Sequence, residues 1–248
     1  MPSWLEQSWK RGILTTRYPR IAAQPGEIPD TALPPIPNGP AVALATSTSS
    51  CPTGAITRNA VDQGKCIRCA RCRAQGFAFA GPLESSVARR PDLVWLEGTP
   101  HPTEEAGSLV ALGRSVHVFL VDVGSCNACN LEVLALANPY YDSQRLGIFF
   151  TNSPRHADVL LVVGVPTAEM VEPMQRAYAA LPSPKAVVAV GVCPTSGGIF
   201  AGNPGLRSSL DELVPVDRYV PGCPPHPLAV LDAILTLMGR HRPSAGGR

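Results

Sequence analysis

Eight cysteines fall into two groups of four whose types and spacing suit iron–sulfur chemistry. The first group is Cys51 followed by Cys66-x2-Cys69-x2-Cys72. The second is Cys126-x2-Cys129, then Cys193 and Cys223. Such clusters are held by four Cys thiolates, so two [4Fe–4S] clusters account for every cysteine in the chain. A protein equipped this way moves electrons, and its function follows from where it places the clusters and what docks at each end.

The first group reads as one cluster made from two broken half-motifs. A bacterial two-cluster ferredoxin uses two runs of C-x2-C-x2-C-x3-C-P, and the fourth cysteine of each run ligates the other cluster. Here the second run keeps Cys66, Cys69 and Cys72, while its fourth position is Gly76. The first run keeps only its fourth cysteine, Cys51, followed by Pro52; its earlier positions fall in the cysteine-free segment Ala41–Thr48. The crossing rule pairs the survivors, with Cys51 as fourth ligand. The segments around Cys51 and Lys65–Cys72 resemble bacterial ferredoxins. A four-cysteine zinc site is the alternative, although structural zinc usually pairs two C-x2-C hooks. Lys65, Arg68, Arg71 and Arg73 surround the run. They would raise a cluster potential, meet an acidic donor, or simply be solvated.

The elements that must position the second group come from apolar patterning. Val116–Val123, Leu146–Phe150, Asp158–Val163 and Lys185–Val192 read as strands, and Cys129–Ala137, Thr167–Leu181 and Leu228–Met238 as helices. Apolar strands alternating with helices predict a parallel sheet covered on both faces. Sites in such sheets form at the carboxyl ends of strands, at the switch in strand order. Gly124–Cys129 follows the first strand and Gly191–Cys193 ends the fourth, so both can meet at one edge. Glycines beside each cysteine let backbone approach a bulky group.

The bulk numbers bound the rest. A chain of 248 residues, 45% hydrophobic, holds one large domain or two small ones. A net charge of +2 gives no field for nucleic acid. No apolar run of transmembrane length occurs, the first residues lack a signal-peptide core, and Arg89-Arg90 do not read as an export signal. The expected compartment is the cytoplasm, where cysteine clusters usually mean metal. Trp4, Leu5, Trp9, Ile13 and Leu14 lie near a helical period in residues 1–20. That face would pack on this chain, on a partner or on a membrane surface. Residues 21–50 and 81–115 read as connectors, the latter with a short strand near Leu93–Leu96.

Three segments carry a wider likeness: Gly124-Ser-Cys-Asn-Ala-Cys-Asn-Leu-Glu132, Gly191-Val-Cys-Pro-Thr-Ser-Gly-Gly198 and Val220-Pro-Gly-Cys-Pro-Pro-His-Pro227, with Ser153–Asp158 added. Residues 116–240 resemble the small subunit of [NiFe] hydrogenases and its relative in respiratory complex I. By that resemblance Cys126, Cys129, Cys193 and Cys223 hold the proximal [4Fe–4S] cluster. Cysteines separated by two residues resemble hydrogenases; complex I subunits have adjacent ones. The form GSCNACNLE is most similar to membrane-associated, energy-converting hydrogenases and formate hydrogenlyase complexes. Lys10–Pro19 and the ferredoxin region are similar to the polyferredoxin-like subunit of the same complexes.

The resemblance implies an α/β fold: a flavodoxin-like parallel sheet with an N-terminal degenerate bacterial-ferredoxin-like (α+β) domain. The expected divisions are an extension and docking segment at 1–50, a one-cluster domain at 51–100, a linker at 101–115, the small-subunit-like domain at 116–240 and a tail at 241–248. It further implies a non-catalytic electron-transfer subunit, peripheral on the inner face of the cell membrane. Its partners would be a hydrogenase large (NiFe) subunit and other iron–sulfur and membrane subunits. Glu132, three residues after Cys129, is implied to relay protons toward the nickel site; an N-terminal helix acid favoured by the macrodipole is the other reading. Arg155 and His156 suit packing or subunit contact. His226 suits a surface turn or a bond to a cluster sulfide. His101, His117 and His241 carry no motif. A cluster subunit of a complex I-like quinone oxidoreductase and a zinc scaffold are the competing functions.

Overall fold

The computed structural model describes residues 3–12, 14–21, 34–37, 50–57, 60–96, 107–207 and 209–240. Segment 41–48, the part of the expected linker and connector at 97–106, the tail at 241–248, Ile13, His101, His241 and the Trp4 side chain lie outside the described residues.

Strands β5 (Val116–Asp122), β6 (Ile148–Phe150), β7 (Val159–Val163), β8 (Ala186–Val190) and β9 (Arg218–Val220) form one parallel sheet in the order β6-β5-β7-β8-β9. Counted within the sheet this is 2-1-3-4-5, the flavodoxin-like order, whose switch point lies between its first and third strands. The fold is α/β as expected. The strand at β9 escapes sequence patterning because it has only three residues, one of them the buried Arg218.

Side chains alternate between two cores because successive residues of a strand face opposite sides. Val159, Leu161 and Val163 join Val188 and Val190 against helices α2 (Ala128–Ala135) and α5 (Pro227–Leu237). Leu160, Val162, Val187 and Ala189 pack on the other face with Met174 of α3 (Ala168–Ala180). All five residues of β7 and of β8 are buried. Both faces are therefore covered, which is why these strands read as continuous apolar runs rather than alternating ones.

The register levels the carboxyl ends of the strands. Asp122 pairs with Val163, Val163 with Val190, and Val190 with Val220. Whatever follows β5, β8 and β9 emerges on the same rim. The short helix α4 (Val192–Ser196) starts there directly after β8.

The N-terminal region adds two short antiparallel pairs. Strand β1 (Pro35–Pro37) pairs with β3 (Phe77–Phe79), and β2 (Ala60–Asp62) pairs with β4 (Val94–Leu96). The sequence reading made residues 35–37 part of a connector. They instead form an edge strand, a position where proline is tolerated because its missing N–H is not needed by the ladder. The helical components described here are 3₁₀ turns over Arg71–Gln75 and Arg90–Leu93.

Helix α1 (Ser3–Arg11) precedes a docked stretch. Thr16 N–H donates to Tyr140 O, and the Tyr18 hydroxyl donates to buried Asp232 Oδ1 at 2.9 Å. Trp9 on the helix is 87% exposed. The reading that this ring packs on the chain's own body is thus corrected, while its neighbour Tyr18 does the anchoring.

Candidate metal centres

The run Cys66–Cys72 winds so that its thiols share one cavity with Cys51. Arg68 and Ala70 both take left-handed backbone, φ 53° and 61°. L-residues adopt that conformation only when the surroundings require it. The cavity is lined by Cys51, Cys66, Cys69 and Cys72 together with apolar Ile56, Val61 and Phe79. Ala55 N–H donates to Cys51 Sγ at 3.3 Å.

Burial and the mutual repulsion of the thiolates both act on this set. Burial opposes ionisation of Cys51, but the N–H groups of Thr53, Ala55 and Ile56 and the Thr53 hydroxyl outweigh it and lower the pKa. Burial pushes Cys66 up to about 11, against the pull of Arg68, with the Cys72 and Cys51 charges adding to the rise. Burial and the charges of Cys69 and Cys51 raise Cys72. A bound metal reverses this situation, because a coordinated thiol is deprotonated outright.

The second set gathers on the rim. Cys126 and Cys129 lie in the turn after β5 and at the start of α2, Cys193 lies in α4, and Cys223 follows β9. Rim backbone ties these loops together: Gly191 N–H donates to Val220 O at 2.8 Å and Val192 N–H to Gly222 O at 3.0 Å. Gly191 is left-handed, φ 91°, and a Cβ there would stand 2.9 Å from Cys129 Sγ. Only glycine fits both the backbone and the approach of sulfur. Burial pushes Cys193 up to about 11, helped by the charges of Cys223 and Cys126. Burial, then Cys193, Cys223 and Cys126, raises Cys129; burial and Cys126 raise Cys223, with Arg68 opposing. All four thiols of the set thus act on one another.

Among the described residues, no three His, Cys, Asp or Glu side chains converge tightly enough to hold a lone metal ion. Each set offers four thiols with glycine or apolar walls beside the sulfurs, the donor chemistry that a four-thiolate iron–sulfur group uses.

Several supporting residues are not legible as motifs. Asp122 ends β5 and accepts from Gly124 N–H at 2.9 Å, Ser125 N–H at 2.8 Å, Ser125 Oγ at 2.7 Å and Asn130 Nδ2 at 2.6 Å. Burial works against its charge, but these bonds outweigh burial and lower its pKa. Asp122 therefore fixes the turn that carries Cys126 and Cys129. Its position as an acid at a strand end, followed by Val-Gly-Ser, is the only signal the sequence offers.

Glu132 is half-buried in the second turn of α2, beyond the first turn where the macrodipole acts. Burial raises its pKa, and its charge acts on Cys129 and on Tyr141. Burial, Glu132 and Tyr140 push Tyr141 up to about 12. His226 is half-buried rather than a surface-turn residue. It caps α5, its Nδ1 accepting from Leu228 N–H at 3.3 Å, and its ring meets Tyr141 edge-on at 6.0 Å. Burial and Arg68 depress it to about 4. Arg155 and His156 are exposed and precede β7, at the opposite end of that strand from the cysteine rim.

Residues 126–237 match the family described as NADH ubiquinone oxidoreductase, 20 Kd subunit. The chain is 46% identical over 124 residues to "Probable membrane-bound hydrogenase subunit mbhJ" of Pyrococcus furiosus, covering 50% of this chain and 74% of that protein. It is 42% identical over 135 residues to formate hydrogenlyase subunit 7 of Escherichia coli, covering 54% of this chain and 53% of that protein. Among solved structures it is similar to a chain of the membrane-bound sulfane sulfur reductase, an archaeal respiratory membrane complex. That similarity is 36% identity with a TM-score of 0.46, over 52% of this chain and 71% of that one. The chain belongs to the NADH ubiquinone oxidoreductase 20 Kd subunit family, alongside membrane-bound hydrogenase and formate hydrogenlyase subunits.

Proposed function

We propose that the chain is an electron-transfer subunit of a membrane-associated [NiFe] hydrogenase complex, with the nickel–iron site on a separate large subunit. The observation that carries this reading is the gathering of Cys126, Cys129, Cys193 and Cys223 on one sheet rim, within the segment shared with hydrogenase subunits. Cys51, Cys66, Cys69 and Cys72 would hold a second cluster in the cavity they line. When bound, two [4Fe–4S] clusters supply one-electron carriers in series.

The chain's own residues do the remaining work. Thiols of both sets bind, and the apolar walls at Ile56, Val61 and Phe79 keep water from the first. Asp122 holds the turn of the second set, and Gly191 lets sulfur approach. Glu132 would hold a proton at its carboxylate near the partner interface, burial raising its pKa above the ordinary carboxylate value. With all eight cysteines assigned, the hydrogen chemistry falls to the large subunit. Among the described residues no helix is long and apolar enough to cross a membrane. In this reading, attachment to the inner membrane face runs through partner subunits, as for relatives that belong to membrane-bound complexes.

A quinone-reducing branch is the second reading, favoured by the description of the family model. The x2 separation of Cys126 and Cys129 opposes it. Iron and sulfide counts on anaerobically purified protein test the proposal: about eight of each per chain are expected for two four-iron clusters. Zinc in place of iron would reject it. A co-purifying large chain with two C-x2-C pairs indicates hydrogenase, and one lacking them indicates the quinone branch.

A further inference from the structure

Four basic residues punctuate the first cysteine run, and the fold separates one from the others. Lys65, Arg71 and Arg73 are exposed, whereas Arg68 is 9% exposed. Its Nη2 donates to Pro221 O at 2.9 Å, across 153 residues of chain. Pro221 immediately follows β9 and stands two residues before Cys223. The Arg68 charge acts on Cys66 of the first set and on Cys223 of the second.

The seam around it is closely fitted. Ser196 Oγ, on the helix that carries Cys193, donates to Gly64 O at 2.7 Å. A Cβ on Gly64 would lie 2.9 Å from Arg90 Cζ, Leu93 Cδ1 and Thr195 Cγ2, so a larger residue there would have to push these side chains apart. Val87 and Tyr219 exchange backbone hydrogen bonds of 3.0 and 2.9 Å at the edge of β9. Arg68 is thus a buried cation held between two cysteine loops by contacts on both sides.

We propose that Arg68 is a shared positioning residue that sets the reduction potentials of both clusters together. The inference rests on the two-cluster reading above. One-electron reduction adds negative charge to a cluster. A guanidinium keeps its positive charge throughout, and poor solvent screening at a buried site lets that charge act on both sets at once. It favours reduction at each site. Its loss must therefore move both midpoints in the same direction, whereas a residue serving one loop would move one.

The test uses the full chain loaded with both clusters. Iron is counted first, and a dithionite titration is then followed by paramagnetic resonance. Arg68→Met keeps the apolar stem and removes the charge; both midpoints are expected to move to more negative potential. Arg68→Lys keeps the charge without the planar fork, and both midpoints are expected to stay near wild type. An eight-iron Arg68→Met protein with neither midpoint moved, or only one, overturns the inference and leaves the two-cluster reading intact. If the Met variant does not load, Arg68→Gln decides: both midpoints moved to more negative potential support the shared cation, and neither or only one moved rejects it. Wild-type protein short of about eight irons rejects both readings.

Discussion

Glu132 and His226 show how one neighbourhood gives two titratable groups opposite tendencies. Burial raises the glutamate and depresses the histidine, because each loses solvation of its charged form. Glu132→Gln should lower turnover of the assembled complex while iron content and both paramagnetic signals persist; unchanged turnover removes the relay. His226 has a folded pKa of about 4 against an ordinary 6.5, so the folded state resists its protonation. The stability it contributes is complete above about pH 6.5 and is lost as pH falls toward about 4. Protonation also removes the Nδ1 acceptor that caps α5. His226→Ala should cost about 1 kcal/mol at pH 7 through the lost cap. His226→Asn should retain most of that while flattening the acid limb of stability, as read from denaturant midpoints at pH 7.5 and 5.

At the scale of elements, the turn after β5 depends on a single carboxylate. Asp122 accepts four hydrogen bonds from the segment that presents Cys126 and Cys129. Asp122→Ala should release that turn without unfolding β5, whose ladder is paired on both sides. The expected outcome is iron falling toward half the wild-type content, with far-ultraviolet dichroism unchanged. Full iron content in the variant would mean that the cysteines themselves organise the turn. The level carboxyl ends of β5, β7, β8 and β9 explain why three separate loops reach one place. A one-residue slip in any strand would send its side chains to the opposite face of the sheet.

Across the whole molecule, two cysteine centres with different supports share one seam. The second is carried by a sheet with its own two-sided core, while the first rests on short strand pairs and a small cluster of Ile56, Val61 and Phe77. Loss of a ligand should therefore act locally. Cys51→Ala is expected to bring iron down to about half while the thermal midpoint of the sheet changes little. Cys193→Ala should remove the other half. Equal loss of both clusters in either variant would show that the seam at Arg68, Gly64 and Ser196 makes loading cooperative.

Residue types and spacing determined which cysteines form the two groups of four, and the apolar strands at 116, 159 and 186. These are local properties: a thiolate needs neighbours at fixed intervals, and a buried strand announces itself in its own composition. Tertiary structure decided the order 2-1-3-4-5, the three-residue strand at 218–220, the strand drawn from a proline-rich connector, and the environments of Glu132 and His226. It also chose Arg68 from four similar charges. Each of these depends on which distant surfaces meet. Pairing across 153 residues is set by packing and backbone register, neither of which leaves a pattern in neighbouring residues.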